Sequence, residues 1–469
     1  MMNLTSWAAA AQGTLVGENR SVSSVCTDSR TLQAGDVFFA LKGPNFDGHA
    51  YLAQVAAAGA AAAVVEQLDP SLGLPQILVA DTVAALGKIA SRWRQEHFHG
   101  TLFAITGSCG KTTVKGMLKS ICEQAGATLA TAGNLNNHLG VPLTLMQLRP
   151  PHQFAVIEMG ASGRGEIAYL TALARPDVAL VNNVQPAHVE GFGSLAAIRE
   201  EKLRIFAGLA ENGTLVLNLD DNYVREAYDE IAAYGQNKIG FSLQPSVPAG
   251  APACRLSQAL QAHSLPNGAW GFEWASGETH LPIELSVLGK HNIANALAAA
   301  SMALAAGIAP AAIAAGLALF GGEKGRMQAK IAPTGAILID DTYNANPGSV
   351  AAAIAYLAER PRPRILVLGD MKELGQDARA QHRNIGQLAQ AAGVDQLYTV
   401  GDLSAAATEA FGPGAEHFPT QAALIAALKP VLNRATSCLI KGSRSARMEH
   451  IVEGLLALDA TPETQPERD

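Results

Sequence analysis

Aromatic side chains are scarce in this chain, 5% of 469 residues, and charged ones are few at 16%. Hydrophobic residues still make up 48%, so the cores must be built mainly from Ala, Val, Leu and Ile. No lysine- or arginine-rich run occurs, and the net charge is −7, which argues against a general nucleic-acid binder. The five cysteines are scattered and show no C-x-x-C spacing, so neither a disulfide framework nor a zinc site is expected. The first residues lack the basic start and long apolar core of a secretory signal. A reducing, cytoplasmic setting is therefore expected. The uncharged stretch from Asn292 to Phe320 is long enough to span a bilayer. It is mostly alanine, and Gly307 with Pro310 divides it, so it reads as two buried helices, Ala294–Ala306 and Ala311–Leu319, with no membrane span. No repeat of fixed short period is present. The polar tail from Thr461 reads as disordered.

What the chain does contain is a strand–turn–helix at residues 102–122. Leu102-Phe103-Ala104-Ile105 reads as a buried strand, and Thr106-Gly107-Ser108-Cys109-Gly110-Lys111-Thr112-Thr113 as the turn. The apolar residues from Val114 to Cys122 recur at helical spacing. Backbone N–H groups at such a helix start meet a phosphate, the lysine adds charge, and the threonine hydroxyl reaches Mg²⁺. Ile105 stands where the standard G-x-x-x-x-G-K-[ST] pattern has its first glycine, so the phosphate loop is a shortened one.

The length suggests about two to four domains at ~150 residues each. Residues 1–83 read as a small α/β domain, 84–319 as a central parallel-sheet domain and 320–469 as a Rossmann-like α/β domain. In the central stretch, strands end at Glu158-Met159-Gly160, at Asn182-Asn183 and at Asn218-Leu219-Asp220-Asp221. A parallel sheet binds ligands outside the carboxyl ends of its strands, so Glu158 and His188 are expected beside Lys111. A satisfied core histidine is an equal reading of His188. Residues 240–280 read as a peripheral β excursion. Asn292 and Asn295 share a helical face and would present amides to a base or ribose, although Asn292 also suits a cap. In the last third, strands at Ala336–Ile339, Arg364–Leu368, Gln396–Val400 and Cys438–Ile440 alternate with helices. Asn346-Pro347 there is a helix start, asparagine as N-cap and proline first. Asp28-Ser29-Arg30 suits a phosphate or sugar, or simply a solvated turn.

Taken in order, these blocks resemble the Mur ligase family of bacterial cell-wall synthesis, over nearly the whole chain. The most discriminating is Asp340-Asp341-Thr342-Tyr343-Asn344-Ala345-Asn346-Pro347; the short phosphate loop is also what the family uses. The resemblance implies an ATP-dependent amide-bond ligase that activates a carboxylate as an acyl phosphate, which an amine then attacks. Its substrates would be UDP-N-acetylmuramoyl-tripeptide and D-alanyl-D-alanine. Ligases that add the third peptide residue, or glutamates to folate, share the ATP site and differ in the amine. A phosphate-loop switch ATPase is the reading from another class.

By the same resemblance, Gly107 to Thr113 bind phosphates, with Lys111 on the β/γ-phosphates. Thr112 and Glu158 hold one Mg²⁺, and His188 a second. Lys202 matches a lysine that the family carbamylates with CO₂ to support that second metal, although Leu203 and Arg204 beside it depart from the family pattern. Asn292 and Asn295 would meet adenine, and Arg326, Asp341 and Tyr343 the ribose and phosphates. Asp28, Ser29, Arg30, Asn134 and Asn137 would face the UDP-sugar, and Asn344 and Asn346 the dipeptide. The third domain is expected to close over ATP bound to the second, in a monomer.

Overall fold

The computed structural model describes residues 2–22, 24–186, 189–231, 233–234, 237–244 and 254–457. His188 lies outside the described residues. Three large sheets, all mainly parallel, follow one another along the chain. The first runs in the order Thr14–Val16, Gln76–Leu78, Ala62–Val65, Val37–Phe39, Val25–Cys26, with only its first strand antiparallel. The helix Thr82–His97, N-capped by Asp81, leaves this sheet for the next. Its Trp93 and the Trp7 of helix Leu4–Ala11 belong to one apolar core that also includes residues of the central sheet. The first and central sheets thus share packing through this helix.

The central sheet has nine strands. From one edge they are Thr128–Ala130, Phe154–Glu158, Thr101–Thr106, Val178–Val181, Thr214–Asn218, Asn237–Ser242 and Arg255–Ser264, all parallel to their neighbours. Two antiparallel strands, Ala269–Ser276 and Thr279–Leu288, complete it. The stretch expected to be a peripheral excursion therefore extends the main sheet. Its inward side chains, among them Phe272, Trp274, Ile283 and Leu285, are buried against the alanine-rich helix His291–Ala305. That helix, Pro310–Leu319 and the phosphate-loop helix Lys111–Glu123 cover one face of the sheet. Small residues let them approach closely. A Cβ on Gly316 would come within 2.4 Å of the Ile121 backbone. No helix among the described residues is long and apolar enough to cross a membrane.

The last sheet has six strands in the order Gln328–Ile331, Ile337–Asp341, Ser437–Lys441, Arg364–Gly369, Gln396–Val400, Ala415–Phe418. Only the first of these pairs antiparallel. The two outer strands were not expected from the sequence; they are short, and edge strands are buried on fewer sides and lack a continuous apolar run. Asn346 caps the helix Pro347–Ala358 with a reciprocal Ser349 bond, as the Asn-Pro pair predicts.

Candidate functional site

The strand Thr101–Thr106 ends in a turn that only glycine can make. Gly107 and Gly110 have φ of +151° and +80°. A Cβ on Gly110 would lie 2.5 Å from Asn295 Oδ1 and 2.6 Å from Asn182 Nδ2. Asn183 braces the loop by accepting from Cys109 N at 2.8 Å, and Ser108 Oγ donates to Gln185 O at 2.8 Å. Helix Lys111–Glu123 then begins at Gly110 with no side-chain cap. Its first N–H groups are left facing a cavity of about 900 Å³. Free amides at a positive helix end form an anion cradle. Lys111, half-buried beside it, donates to Gly107 O at 2.6 Å. Burial pushes its ammonium below the ordinary lysine range, and Glu158 partly restores it.

The cavity is lined from both the central and the last sheet. Of the residues singled out from sequence, it brings together Ser108 to Thr113, Asn134, Asn137, Glu158, Asn292, Asn295, Arg326, Asp341, Tyr343, Asn344 and Asn346. Gly107 lies behind them as the acceptor for Lys111. The last sheet's unit touches the phosphate loop directly. Asn346 Nδ2 donates to Cys109 Sγ at 3.2 Å, and the Arg326 guanidinium donates to Thr112 Oγ1 at 2.9 Å. Arg326 also stacks on Tyr343, 4.3 Å from its ring centre, with Arg444 at 5.9 Å.

Asn292 and Asn295 are buried and already bonded in series. Asn182 donates to Asn295 at 3.1 Å, Asn295 to Asn292 at 2.8 Å, and Asn292 to Leu288 O at 2.7 Å. They form a relay from the phosphate loop to the start of their helix, and Asn292 caps no N-terminus. Asn137 accepts from Leu139 N and Gly140 N, which turns the chain into helix Gly140–Leu145.

Glu158 is buried at the end of its strand. Its Oε1 accepts from Asn136 at 2.8 Å, while Oε2 has no hydrogen-bond partner. A buried carboxylate oxygen with no hydrogen bond, beside a threonine hydroxyl and an uncapped helix start, fits a hard cation with a phosphate. Lys202 is 2% exposed in helix Leu195–Leu203. Burial, and next the charge of Lys111, bring its ammonium down to about 7. No hydrogen bond or ion pair holds it among the described residues. A buried amine so easily neutral suits conversion to a carbamate. Leu203 beside it is buried, and Arg204 turns outward to pair with Glu200 at 3.0 Å.

Asp28, Ser29 and Arg30 do not line this cavity. Arg30 instead forms a fork on Asp28, at 2.8 and 2.6 Å, which holds the Asp28 carboxyl down at about 2. Sequence reasoning missed Asn136, Lys115, Asn182, Lys441 and Arg444. Lys441 pairs with Asp341 at 2.5 Å and donates to Asn344 O. Its position at a strand end was a usable signal; that of Lys115, inside a helix, was not.

Comparison with known proteins agrees with this layout. Residues 21–94 match the Mur ligase family catalytic domain, 105–303 the Mur ligase middle domain and 325–444 the Mur ligase glutamate ligase domain. The chain is 42% identical over 446 residues to the UDP-N-acetylmuramoyl-tripeptide–D-alanyl-D-alanine ligase of Escherichia coli K12, covering 94% of this chain and 96% of that one. Among solved structures, MurF from Acinetobacter baumannii superposes with a TM-score of 0.88 at 34% identity, over 96% of this chain and 98% of that chain. MurF ligase from Thermotoga maritima in complex with ADP gives 0.81 at 26% identity, over 92% and 97%.

Proposed function

The chain belongs to the Mur ligase family of ATP-dependent ligases, and on that premise we propose that it joins D-alanyl-D-alanine to UDP-N-acetylmuramoyl-tripeptide in the cytoplasm. One observation carries this reading. A single cavity is lined by the phosphate loop and by the Asp341–Asn346 block of the last sheet, so nucleotide and acceptor amine meet between the two units.

The residues answer the main physical demand of the reaction. A carboxylate and a triphosphate repel each other, so donors and cations must take up charge as it moves onto the phosphoryl oxygens. Lys111 and the free amides after Gly110 hold the β- and γ-phosphates. Arg326, stacked on Tyr343, reaches the same phosphates or the ribose from the other unit, with Asp341 beside it. Asn292 and Asn295 offer their outer edges to adenine. Contacts such as Asn346 with Cys109 keep water from an acyl phosphate that would otherwise hydrolyse. Thr112 and Glu158 would hold one Mg²⁺, and His188 with a Lys202 carbamate a second, where the ions supply charge neutralisation on the phosphoryl oxygens. Asn134 and Asn137 would face the UDP-sugar, with Asp28, Ser29 and Arg30 further out, and Asn344 and Asn346 the dipeptide.

The test is phosphate release with ATP, UDP-muramoyl-tripeptide and a panel of amines. D-Alanyl-D-alanine should give the highest turnover, and ATP alone almost none. Equal turnover of meso-diaminopimelate or lysine on a dipeptide substrate would sink the assignment, and brisk hydrolysis without any carboxylate would favour a switch ATPase.

A further inference from the structure

Glu158 is braced from two directions, and one brace is a lysine to which the phosphate loop gives no role. Lys115 lies one turn beyond Lys111 on the same stripe of helix Lys111–Glu123, facing the strand that ends in Glu158. Its Nζ stands 3.8 Å from Glu158 Oε2, and the two side chains are only 6% and 3% exposed. That is too long for a hydrogen bond. Oε2 accordingly has no hydrogen-bond partner, whereas Oε1 is fixed by Asn136. Glu158 lines the cavity and Lys115 does not, so the ammonium stands behind the carboxylate as seen from the ligand side.

A buried ion pair stabilises a fold only when close, well-hydrogen-bonded geometry offsets the loss of solvation. This pair lacks that geometry, so stability alone does not account for it. We propose that Lys115 is a positioning residue that stands in for a divalent cation: it balances Glu158 while the site is empty of metal, and its charge limits how tightly the metal binds afterwards. The inference rests on the reading of Glu158 as a metal ligand. A cation arriving at Oε2 meets a like charge a few ångströms away in a poorly solvated place, where Coulomb terms are strong. The lysine thereby opposes the very ion that replaces it. Mg²⁺ held this way is exchangeable with each nucleotide, because the empty site does not collapse when the metal leaves.

The experiment uses the full chain with ADP, Mn²⁺ titrated against the electron paramagnetic resonance signal of the free ion, and thermal melts with and without Mg²⁺. Lys115→Met should bind Mn²⁺ about tenfold more tightly, the order expected from removing one nearby charge. Its melting point should fall without metal and recover with Mg²⁺. Lys115→Arg, which keeps the charge, should stay close to the parent. Should the methionine variant not fold, Lys115→Gln carries the same expectations. In a Glu158→Gln background Mn²⁺ binding should weaken with either residue at 115, and the recovery of the Lys115→Met melting point by Mg²⁺ should disappear. Unchanged or weaker Mn²⁺ binding, with an equal loss of melting temperature in both conditions, would reduce Lys115 to a packing residue and overturn the proposal. None of these readouts involves ligation, so a wrong substrate assignment would leave them untouched. An unvaried chain that binds no Mn²⁺ with ADP would overturn the metal reading itself.

Discussion

The carboxyl edges of the central and last sheets are built alike but finished differently. At the last sheet's edge Asp340, Asp370 and His382 are paired off, although Glu449 Oε2, in the helix that follows the strand Ser437–Lys441, has no hydrogen-bond partner among the described residues. Asp340 takes Lys330 at 2.7 Å on one oxygen and Thr342 Oγ1 at 2.6 Å on the other. Asp370 accepts from Leu403 N and Ser404 N and pairs with Lys372 at 3.2 Å. His382 accepts from Met371 N and meets Ala378 O at 2.7 Å. At the central edge, by contrast, Thr106 Oγ1 and Glu158 Oε2 have no hydrogen-bond partner, as does the Nε of Arg326 reaching across, and Lys202 is buried with none. A buried polar group left open costs free energy unless something else completes it. Both edges line the cavity, and the open valences of the central edge mark the side on which the phosphate loop stands.

The sharpest way to break this comparison is to remove an open group. Lys202→Ala should lower kcat/KM about 10³-fold, the scale of a lost charge-stabilising group at a phosphoryl-transfer site. Truncating so buried a side chain also leaves a cavity, so the rate is read on the folded fraction. If the lysine acts as a carbamate, short-chain carboxylates should restore part of the rate. A variant with the parent rate would remove Lys202 from the site and would place one open group outside the chemistry.

Removing a closed group should do the reverse. Asp370→Ala strands two backbone N–H groups, while the half-exposed Lys372 ammonium stays solvated, a loss of about 2 kcal/mol in unfolding free energy. The KM for ATP, measured on the folded fraction, should change less than about twofold. A larger rise in KM would mean that Asp370 itself, through Lys372 on the cavity wall, contributes to the ligand site.

The same contrast explains what the sequence disclosed. Strand–turn–helix order, glycines with positive φ and strands ending in polar residues are local features, and they located the phosphate loop, Glu158 and the Asp341–Asn346 block. Partner choice is not local. Among the asparagines of the loop before Gly140, Asn136 bonds Glu158 while Asn137 turns the chain, and no spacing distinguishes the two. Lys115 carries no signal in the sequence, because its helical stripe faces a strand end that only the folded sheet brings near. Arg30 satisfies Asp28 within the same turn, the kind of self-pairing that a motif conceals. The β character of residues 240–280 was legible, but not its place in the main sheet, because the helix that the strands from Arg255 to Leu288 cover lies further along the chain.

The smallest expected effect is a pH dependence at the closed edge. His382 is buried and neutral: its Nε2 accepts from Met371 N, so Nδ1 must carry the proton donated to Ala378 O. Burial holds its proton affinity below the ordinary value of 6.5. Between the lowered folded value and 6.5 the unfolded chain therefore binds more protons than the folded one, and stability rises with pH across that window. The contribution is complete above the unfolded value and is lost as pH falls through the window. Urea midpoints should accordingly drop as pH falls below 6.5 more steeply in the parent than in His382→Gln. The glutamine variant, less stable throughout, has no ring to protonate. Parallel slopes would show that the acid loss arises elsewhere. It would then belong to groups whose valences the fold leaves open, and the distinction between the two edges would not extend to protons.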